Sequence, residues 1–391
     1  MDLYLHIGTE KTGTTSIQEF LRSNRGRLLA RGVQYPKLPG PSNQISLSTA
    51  ALEEVHRSIT HIFDLHSLDD LAAFRESIAK TLSEAFTGST SRIAILSNEH
   101  CSSRLLNRAE VQTLHDMLRP YFERMFIVVY LRRQDEFLLS TYSTAVKTGL
   151  RWPLGLPAKD SKRDRRYDYW KLLSRWAGVF GRDAMICRRF ERSALKGGDV
   201  VEDFLETVGV ENDPAFERPP NQNESLDAVS LEFMRLMNGY IGSRGPLRFR
   251  LHQLLAKIGK GPLLTLPAEE LAEFMGALRE SNHKVAEEYF GGARDDSDDP
   301  LFAPLKFSRP RVEQPQMTLD DAIKVMARVW AGANEDVEGG LLDTVERDVM
   351  DRQRLRRKAP PPNLNRIERK KERQEKRAAM KRANAETPSA P

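Results

Sequence analysis

Short, continuous apolar runs alternate along this chain with longer stretches whose apolar residues recur at helical spacing. Four runs have strand composition and begin at Leu3, Ile93, Arg124 and Ala184. Helical spacing is found over 69–86, 109–121, 169–180 and 200–208. Strands that are apolar throughout and alternate with helices are typical of a parallel sheet covered on both faces. The pattern therefore predicts an α/β fold in which helices flank a central parallel sheet.

The first apolar run leads directly into a loop rich in glycine and threonine. Residues 3–7 are apolar except His6, residues 8–16 read GTEKTGTTS, and helical spacing resumes at Ile17. A strand, a turn and a helix in this order direct backbone N–H groups at an anion, usually a phosphate. A nucleotide triphosphatase loop carries Lys-Ser/Thr after its second glycine. Here the lysine is Lys11, before Gly13, so the loop is predicted to bind phosphate without serving a triphosphate tail.

A second motif follows the run at 124–131. It ends at Arg132, and acidic and apolar residues then predict a helix from Gln134 to Lys147. Ser140 lies eight residues after Arg132, two turns into that helix. A fixed cation and a neutral donor suit a dianionic phosphate, although a solvated strand end is the alternative for Arg132 taken alone.

A third group of polar residues follows the apolar run at 93–96. Glu99 and His100 come directly after it, and the carboxyl ends of strands in open α/β sheets are where ligands collect. Either side chain can act as a general base. The structural alternatives are that Glu99 caps the next helix and that His100 packs beneath a loop.

Together these motifs resemble those of sulfotransferases that use 3′-phosphoadenosine-5′-phosphosulfate (PAPS), in their bacterial form, and the loop is most similar to that of heparan-sulfate N-sulfotransferases. The resemblance covers roughly residues 2–210. It implies a P-loop-like sulfotransferase fold with PAPS as the donor and no metal. The residues it assigns to the 5′-phosphosulfate are Lys11, Thr12, Gly13, Thr14, Thr15 and Ser16. It assigns the 3′-phosphate to Arg132 and Ser140.

The same resemblance implies catalytic roles. Lys11 would contact the bridging oxygen and the sulfuryl group, and Glu99 is favoured as the base because the heparan-sulfate enzymes use a glutamate. His100 is the second choice or an orienting partner. The expected reaction is sulfuryl transfer to a hydroxyl or amine acceptor, with a saccharide favoured. A P-loop nucleotide-dependent kinase and a non-catalytic anion-binding protein remain open as alternatives.

Composition indicates the cellular compartment in which the protein is expected to act. The 391 residues exceed one ordinary domain, and 40% of them are hydrophobic. The first apolar run begins at the third residue and no apolar run reaches 18 residues, so neither a signal peptide nor a membrane anchor is expected. Cys101 and Cys187 suit a reducing compartment, and a cytoplasmic location is expected. No residue cluster has metal-ligand spacing.

Charge is unevenly distributed and marks the expected domain organisation. The net charge is +5, yet residues 351–391 contain 14 Lys and Arg against 5 Asp and Glu. We expect a sulfotransferase domain over 1–290, a linker over 291–316, helical C-terminal additions over 317–350, and a basic tail that is disordered or a solvated helix. Such a tail can attract an acidic polymer or an anionic surface, although a solvated tail without a partner is favoured.

Overall fold

The computed structural model describes residues 1–159, 161, 164–219, 225–241, 246–294, 298–304 and 309–335. The chain divides into two compact units, 1–325 and 326–391. The second unit is described only over 326–335. The predicted basic tail and residues 336–350 of the predicted helical additions lie outside the described residues.

Five parallel strands form the central sheet. They are β1 (Asp2–Gly8), β2 (Val33–Gln34), β3 (Ile93–Ser97), β4 (Arg124–Leu131) and β5 (Met185–Arg189). Their order is β2-β3-β1-β4-β5, and every neighbouring pair is parallel. The predicted α/β fold with a central parallel sheet flanked by helices is confirmed.

The described helices lie between and after these strands. In chain order they are α1 (Thr14–Ser23), α2 (Arg25–Leu29), α3 (Ser46–Ala51), α4 (Arg57–Thr60), α5 (Leu68–Phe86), α6 (His100–Arg104), α7 (Arg108–Leu118), α8 (Gln134–Lys147), α9 (Tyr169–Phe180), α10 (Val200–Thr207), α11 (Ala228–Met237), α12 (Pro246–Ile258), α13 (Ala268–Phe290) and α14 (Leu319–Glu335). Two further strands, β6 (Leu263–Leu264) and β7 (Arg311–Val312), pair in parallel with each other.

Two apolar layers cover the sheet. Leu3 and Leu5 of β1 face one layer, to which α5, α7 and α9 contribute. Val128 and Tyr130 of β4 face the other, which is built from α1 and α10. Because both faces are buried, the strands need apolar residues at nearly every position, as the continuous runs in the sequence predict.

The strand order predicts a ligand-binding crevice at one end of the sheet. From β1 the chain first builds β2 and β3 on one side, and then β4 and β5 on the other. The connections therefore diverge between β1 and β4, and ligands in open α/β sheets bind outside the carboxyl ends of the strands at such a point. The glycine and threonine loop begins there.

A buried polar network joins the start of α8 to the chain beyond α13. Gln134 Nε2 donates to Asn282 Oδ1 at 2.6 Å, and Asn282 Nδ2 donates to Asp299 Oδ2 at 2.8 Å. Asp299 Oδ1 accepts the backbone amides of Leu301 and Phe302 at 2.9 and 3.0 Å. These buried groups satisfy one another, which fixes this segment against the core.

The segment expected to be a linker, 291–316, therefore contains a core contact. Leu301 and Phe302 are both fully buried within the apolar layer that includes α9. The abundance of Asp, Pro and Gly that suggests a linker gave no indication of this contact. The domain boundaries themselves stay a prediction.

Truncation of Phe302 tests whether this segment is part of the core. Phe302→Ala is expected to lower the free energy of unfolding by about 3–5 kcal/mol, because it removes a buried ring and leaves a cavity. Phe249→Ala is the matched control, since that ring is 65% exposed, and a change within about 0.5 kcal/mol is expected. Denaturant unfolding measures both. Equal stabilities for the two variants would contradict the core assignment.

Candidate active site

The loop between β1 and α1 is fixed by its neighbours. Lys11 and Gly13 have left-handed backbones, with φ of 67° and 74°, a region that lysine rarely adopts. A Cβ on Gly13 would lie 2.8 Å from Cγ1 of Val200, so only glycine fits there. Thr9 anchors the start of the loop, since its amide and its hydroxyl both donate to the Tyr130 carbonyl oxygen, at 2.9 and 3.0 Å.

Helix α1 begins at this loop without a side-chain cap. Its N-cap residue is Gly13, and the nearby Thr12 hydroxyl donates instead to the Thr9 carbonyl oxygen at 2.6 Å. The first turn consists of Thr14, Thr15 and Ser16. Uncapped amides at a helix N-terminus attract an anion, because they carry partial positive charge and need acceptors.

Arg132 connects this loop to α8. Its Nη1 donates to the Lys11 carbonyl oxygen at 3.0 Å, and its Nη2 donates to Glu136 Oε2 at 2.9 Å. Arg311 of β7 donates to the other oxygen of Glu136. The Phe190 ring lies beside the guanidinium, 5.8 Å from Cζ to the ring centroid. Arg132 is thus held from three directions at the carboxyl end of β4.

Lys11 lies among the charges of the neighbouring strand ends. Burial lowers the pKa of Lys11, and the charge of Arg132 lowers this pKa further. The carboxylates of Glu10 and Glu99 act in the opposite direction. The Lys11 ammonium group is therefore within electrostatic range of Arg132 and of both carboxylates.

Glu99 is held by neutral amides at the carboxyl end of β3. Gln18 Nε2 donates to Glu99 Oε2 at 2.7 Å, and Asn43 Nδ2 donates to Oε1 at 3.3 Å. The backbone of the loop approaches closely, since a Cβ on Gly8 would lie 3.1 Å from both Cα and Cβ of Glu99. The Glu99 carboxylate therefore adjoins the loop that carries Lys11.

His100 lies between two carboxylates. Its Nδ1 is 3.3 Å from Glu10 Oε1 and its Nε2 is 3.8 Å from Glu99 Oε1. The Nδ1 atom approaches Glu10 closely, but within the described residues it lacks the alignment of a directed hydrogen bond. Glu10 also accepts from Ser103 Oγ at 2.9 Å and pairs with Arg166 Nη1 at 3.2 Å.

Ser140 lies on the same face of α8 as Glu136, which contacts Arg132. Glu136, Ser140 and Lys147 share this face, because their spacings of four and seven residues correspond to one and two helical turns. Glu136 contacts Arg132 at one end of the face. At the other end, burial and the charge of Lys11 lower the pKa of Lys147. Ser140 is therefore one helical turn from Glu136, the residue of this face that contacts Arg132.

The predicted site residues thus come from three neighbouring strands and one facing helix. Lys11, Glu99 with His100, and Arg132 follow β1, β3 and β4, and Ser140 is on α8. Their individual roles stay predictions.

Sequence reasoning missed the residues that hold this group in place. They are Glu10, Gln18, Asn43, Arg166 and Arg311. A signal existed for Gln18, which interrupts the buried face of α1 formed by Ile17, Phe20 and Leu21. Arg311 is 175 residues from its partner Glu136, and the sequence around Arg311 has no feature that indicates a site residue.

Neither a metal-binding cluster nor a membrane-spanning helix is found among the described residues. No group of three or more His, Cys, Asp and Glu side chains there is placed to hold a metal ion. In the same part of the chain, no helix combines the length and the apolar content needed to cross a membrane.

Comparison with known proteins gives limited similarity. No family model matches the chain. An uncharacterized protein of Archaeoglobus fulgidus is 33% identical over 169 residues, which are 42% of this chain and 46% of that protein, so the match spans less than half of the relative.

Two solved structures match this chain at low similarity. A sulfotransferase from Alicyclobacillus acidocaldarius is 16% identical with a TM-score of 0.35, covering 63% of this chain and 98% of that one. The sulfotransferase domain from the curacin biosynthetic pathway is 9% identical with a TM-score of 0.30, covering 65% and 96%. Similarities of this size assign neither a substrate nor a reaction to this chain.

The charge on Glu10 is expected to stabilise the fold. Burial raises its pKa, but the contact with His100 and the charges of Arg166 and Arg104 outweigh burial and lower the pKa of Glu10 from 4.5 to about 2. A lowered carboxyl pKa contributes stability above pH 4.5, and this contribution is lost as the pH falls toward 2. Glu10→Gln should therefore lower the free energy of unfolding by on the order of 2 kcal/mol at pH 7.

Unfolding measured from pH 7 to pH 2 checks this prediction. The difference between wild type and Glu10→Gln should shrink between about pH 4.5 and pH 2. Glu84→Gln is the control, since the Glu84 side chain is 66% exposed and pairs with Lys80 at only 4.0 Å. A constant difference across this range would show that Glu10 acts through packing alone.

Proposed function

We propose that this chain transfers a sulfuryl group from PAPS to a hydroxyl or amine of an acceptor. One observation carries the proposal: the Lys11 loop, Glu99 and Arg132 meet at the carboxyl ends of three adjacent strands. The sequence resemblance gives each motif one part in the same reaction. These roles require the motifs to share one site, although the motifs are far apart in sequence.

The chemistry of the residues suits the two ends of the donor. The uncapped first turn of α1 and the Lys11 ammonium suit the 5′-phosphosulfate. Arg132 has five N–H donors, of which the Lys11 carbonyl and Glu136 engage two within the described residues. The remaining donors, with the Ser140 hydroxyl nearby on α8, suit the 3′-phosphate.

The proposed reaction uses Glu99 and Lys11 at opposite ends of the transferred group. The donor supplies the sulfuryl group, which moves to the acceptor atom as the bond between sulfur and the bridging phosphate oxygen breaks. Glu99 takes the proton that the acceptor loses. Lys11 stabilises the negative charge that develops on the bridging oxygen, and such fixed charges usually account for much of the acceleration.

The surroundings of the two glutamates favour Glu99 as the base. Glu10 is paired with cations and its pKa is about 2, which makes it a weak proton acceptor. Glu99 is held by the neutral amides of Gln18 and Asn43. His100 contacts both carboxylates and is assigned as the orienting partner, or as the base if Glu99 fails the test below.

The catalytic unit is proposed to extend beyond residue 290. Arg311 holds Glu136, which in turn holds Arg132, so the donor site depends on β7. A saccharide remains the favoured acceptor, and the cytoplasm the proposed location.

Calorimetry with 3′-phosphoadenosine-5′-phosphate tests the donor site without an acceptor. This bisphosphate should bind much more tightly than adenosine 5′-monophosphate in the absence of magnesium. Arg132→Ala should weaken bisphosphate binding by about 1.5–3 kcal/mol, the usual contribution of a charge-assisted hydrogen bond. Arg124→Ala, at the opposite end of β4 and paired with Asp2, is the control and should bind as wild type does.

Comparing the bisphosphate with adenosine 5′-monophosphate distinguishes two roles of Arg132: binding of the 3′-phosphate and support of the Lys11 loop. Loss of the 3′-phosphate contact weakens only the bisphosphate, whereas a disordered Lys11 loop weakens both nucleotides equally. Equal losses would contradict the assignment of Arg132. A preference of the wild type for ATP with magnesium would favour the kinase alternative.

Substitution of Glu99 separates chemistry from binding. Glu99→Gln preserves the shape of the side chain, so bisphosphate affinity should stay near wild type. Turnover, measured as transfer of labelled sulfate from PAPS to a panel of saccharides, alcohols and amines, should fall by about 10²–10⁴-fold. Glu19→Gln, a change on α1 at a partly exposed side chain that pairs with Arg22, is the control. Full activity of Glu99→Gln together with inactivity of His100→Asn would move the base to His100.

A further inference from the structure

Three helix ends are held together by hydrogen bonds beyond the C-terminus of α8. The side-chain amide of Asn238, which follows α11, donates to the carbonyl oxygens of Val146 and Leu150 at 2.8 and 2.9 Å. Arg248, in the first turn of α12, donates from Nη1 to the Thr148 carbonyl oxygen at 3.1 Å and from Nε to Asn238 Oδ1 at 3.0 Å. The end of α8, the end of α11 and the start of α12 are thus fixed against one another. Their residues 146–152, 235–241 and 246–250 form the helix-end surface.

Large apolar side chains of the helix-end surface are exposed to solvent. Trp152, Tyr240, Leu247 and Phe249 are 76%, 87%, 62% and 65% exposed. Leu247 and Phe249 flank Arg248, and Tyr240 is two residues after Asn238. Trp152 follows Arg151, whose carbonyl oxygen accepts from Arg235 Nη1 at 2.5 Å. Single exposed apolar residues are common, whereas several that adjoin one another mark an interaction surface.

The two stretches of chain that build this surface contain no acidic residue. Residues 137–159 contain three Lys and Arg and residues 233–268 contain six, with no Asp or Glu in either. Among these cations, Arg151 is exposed beside Trp152. The acid that precedes the second stretch, Glu232, is buried and pairs with Arg235 at 2.6 Å. The surface therefore combines exposed apolar side chains with positive charge, and its partner should be both apolar and anionic.

We infer that the helix-end surface binds an anionic lipid bilayer, with the protein attached at the membrane periphery. Lysine and arginine suit anionic headgroups. Trp and Tyr are typical of the boundary between headgroups and acyl chains, which Leu and Phe also enter. An acidic polymer would use the cations but would leave the aliphatic Leu247 in water. The inference is independent of the proposed sulfuryl transfer, and such attachment requires no membrane-spanning helix.

Co-sedimentation of the full chain with lipid vesicles tests the inference. The wild type should bind vesicles of equal parts phosphatidylcholine and phosphatidylglycerol more tightly than vesicles of phosphatidylcholine alone. Phe249→Ala should weaken binding to the anionic vesicles about 10-fold, because a large apolar side chain no longer leaves water. Arg151→Gln should weaken it about 5-fold, because one cation near the anionic surface is lost.

A matched pair of leucines provides the control. Leu247 and Leu68 are both 62% exposed, but Leu68 begins α5 beside Asp69 and Asp70. Leu247→Ala should weaken vesicle binding, and Leu68→Ala should bind as the wild type does. Because these side chains are exposed, unfolding in denaturant should be unchanged in both variants, which shows that they fold.

The basic residues of 351–391 can attract anionic vesicles by charge alone, and the apolar substitutions distinguish this possibility. Binding that Arg151→Gln or added salt weakens, but that Phe249→Ala and Leu247→Ala leave unchanged, would mean that charge alone is recognised and would overturn the inference. Equal binding of the wild type to the two kinds of vesicle would overturn it as well.

Tryptophan fluorescence locates the contact. Within the described residues, Trp152 and Trp330 are the tryptophans that are more than half exposed. In Trp330→Phe, vesicles that contain phosphatidylcholine brominated on its acyl chains should quench the fluorescence of Trp152, because bromine quenches only at close range. The further change Trp152→Phe should remove this quenching. Quenching that persists without Trp152, or none in Trp330→Phe bound to the vesicles, would show that another surface faces the membrane.

Discussion

The candidate site depends on the guanidinium of Arg132. It donates to the Lys11 carbonyl oxygen and to Glu136, and Glu136 is held in turn by Arg311. Charge-assisted bonds of this kind are strong and directional when half-buried, and a planar fork is required to reach two acceptors on different elements. The left-handed backbone at Lys11 is unfavourable alone, and this contact helps to maintain it.

The two carboxylates of the site, Glu10 and Glu99, differ in the charge of the groups that hold them. Glu10 is surrounded by His100, Arg166 and Arg104, which stabilise its ionised form. Glu99 is oriented by the amides of Gln18 and Asn43, which position it without adding a neighbouring charge. Glu10 is thereby suited to a structural role, and the role proposed for Glu99 is proton transfer.

Local pattern was sufficient to predict four of the five strands of the central sheet and the sequence positions of the principal candidates. Apolar runs identify β1, β3 and β4, and polar residues directly after them gave Lys11, Glu99 and Arg132. The two-residue strand β2 is too short to show the apolar pattern by which a strand is predicted from sequence. Contacts such as Asn43 with Glu99, or Phe302 with the core, join segments that are remote in sequence, and their composition is that of loops. Such contacts arise from the tertiary arrangement, which no local window contains.

The bond between Arg132 and the Lys11 carbonyl joins the two ends of the proposed donor site. A ligand that binds the Arg132 guanidinium changes the hydrogen bond from Arg132 to the Lys11 carbonyl oxygen, and this bond supports the loop. Binding at the two ends therefore carries a coupling free energy. Linkage makes this coupling reciprocal: a phosphate seated in the loop alters the affinity of Arg132 for its own phosphate by the same factor. A nucleotide that fills both positions therefore binds with this coupling term in addition to the sum of its contacts, whereas a nucleotide that fills only one position does not.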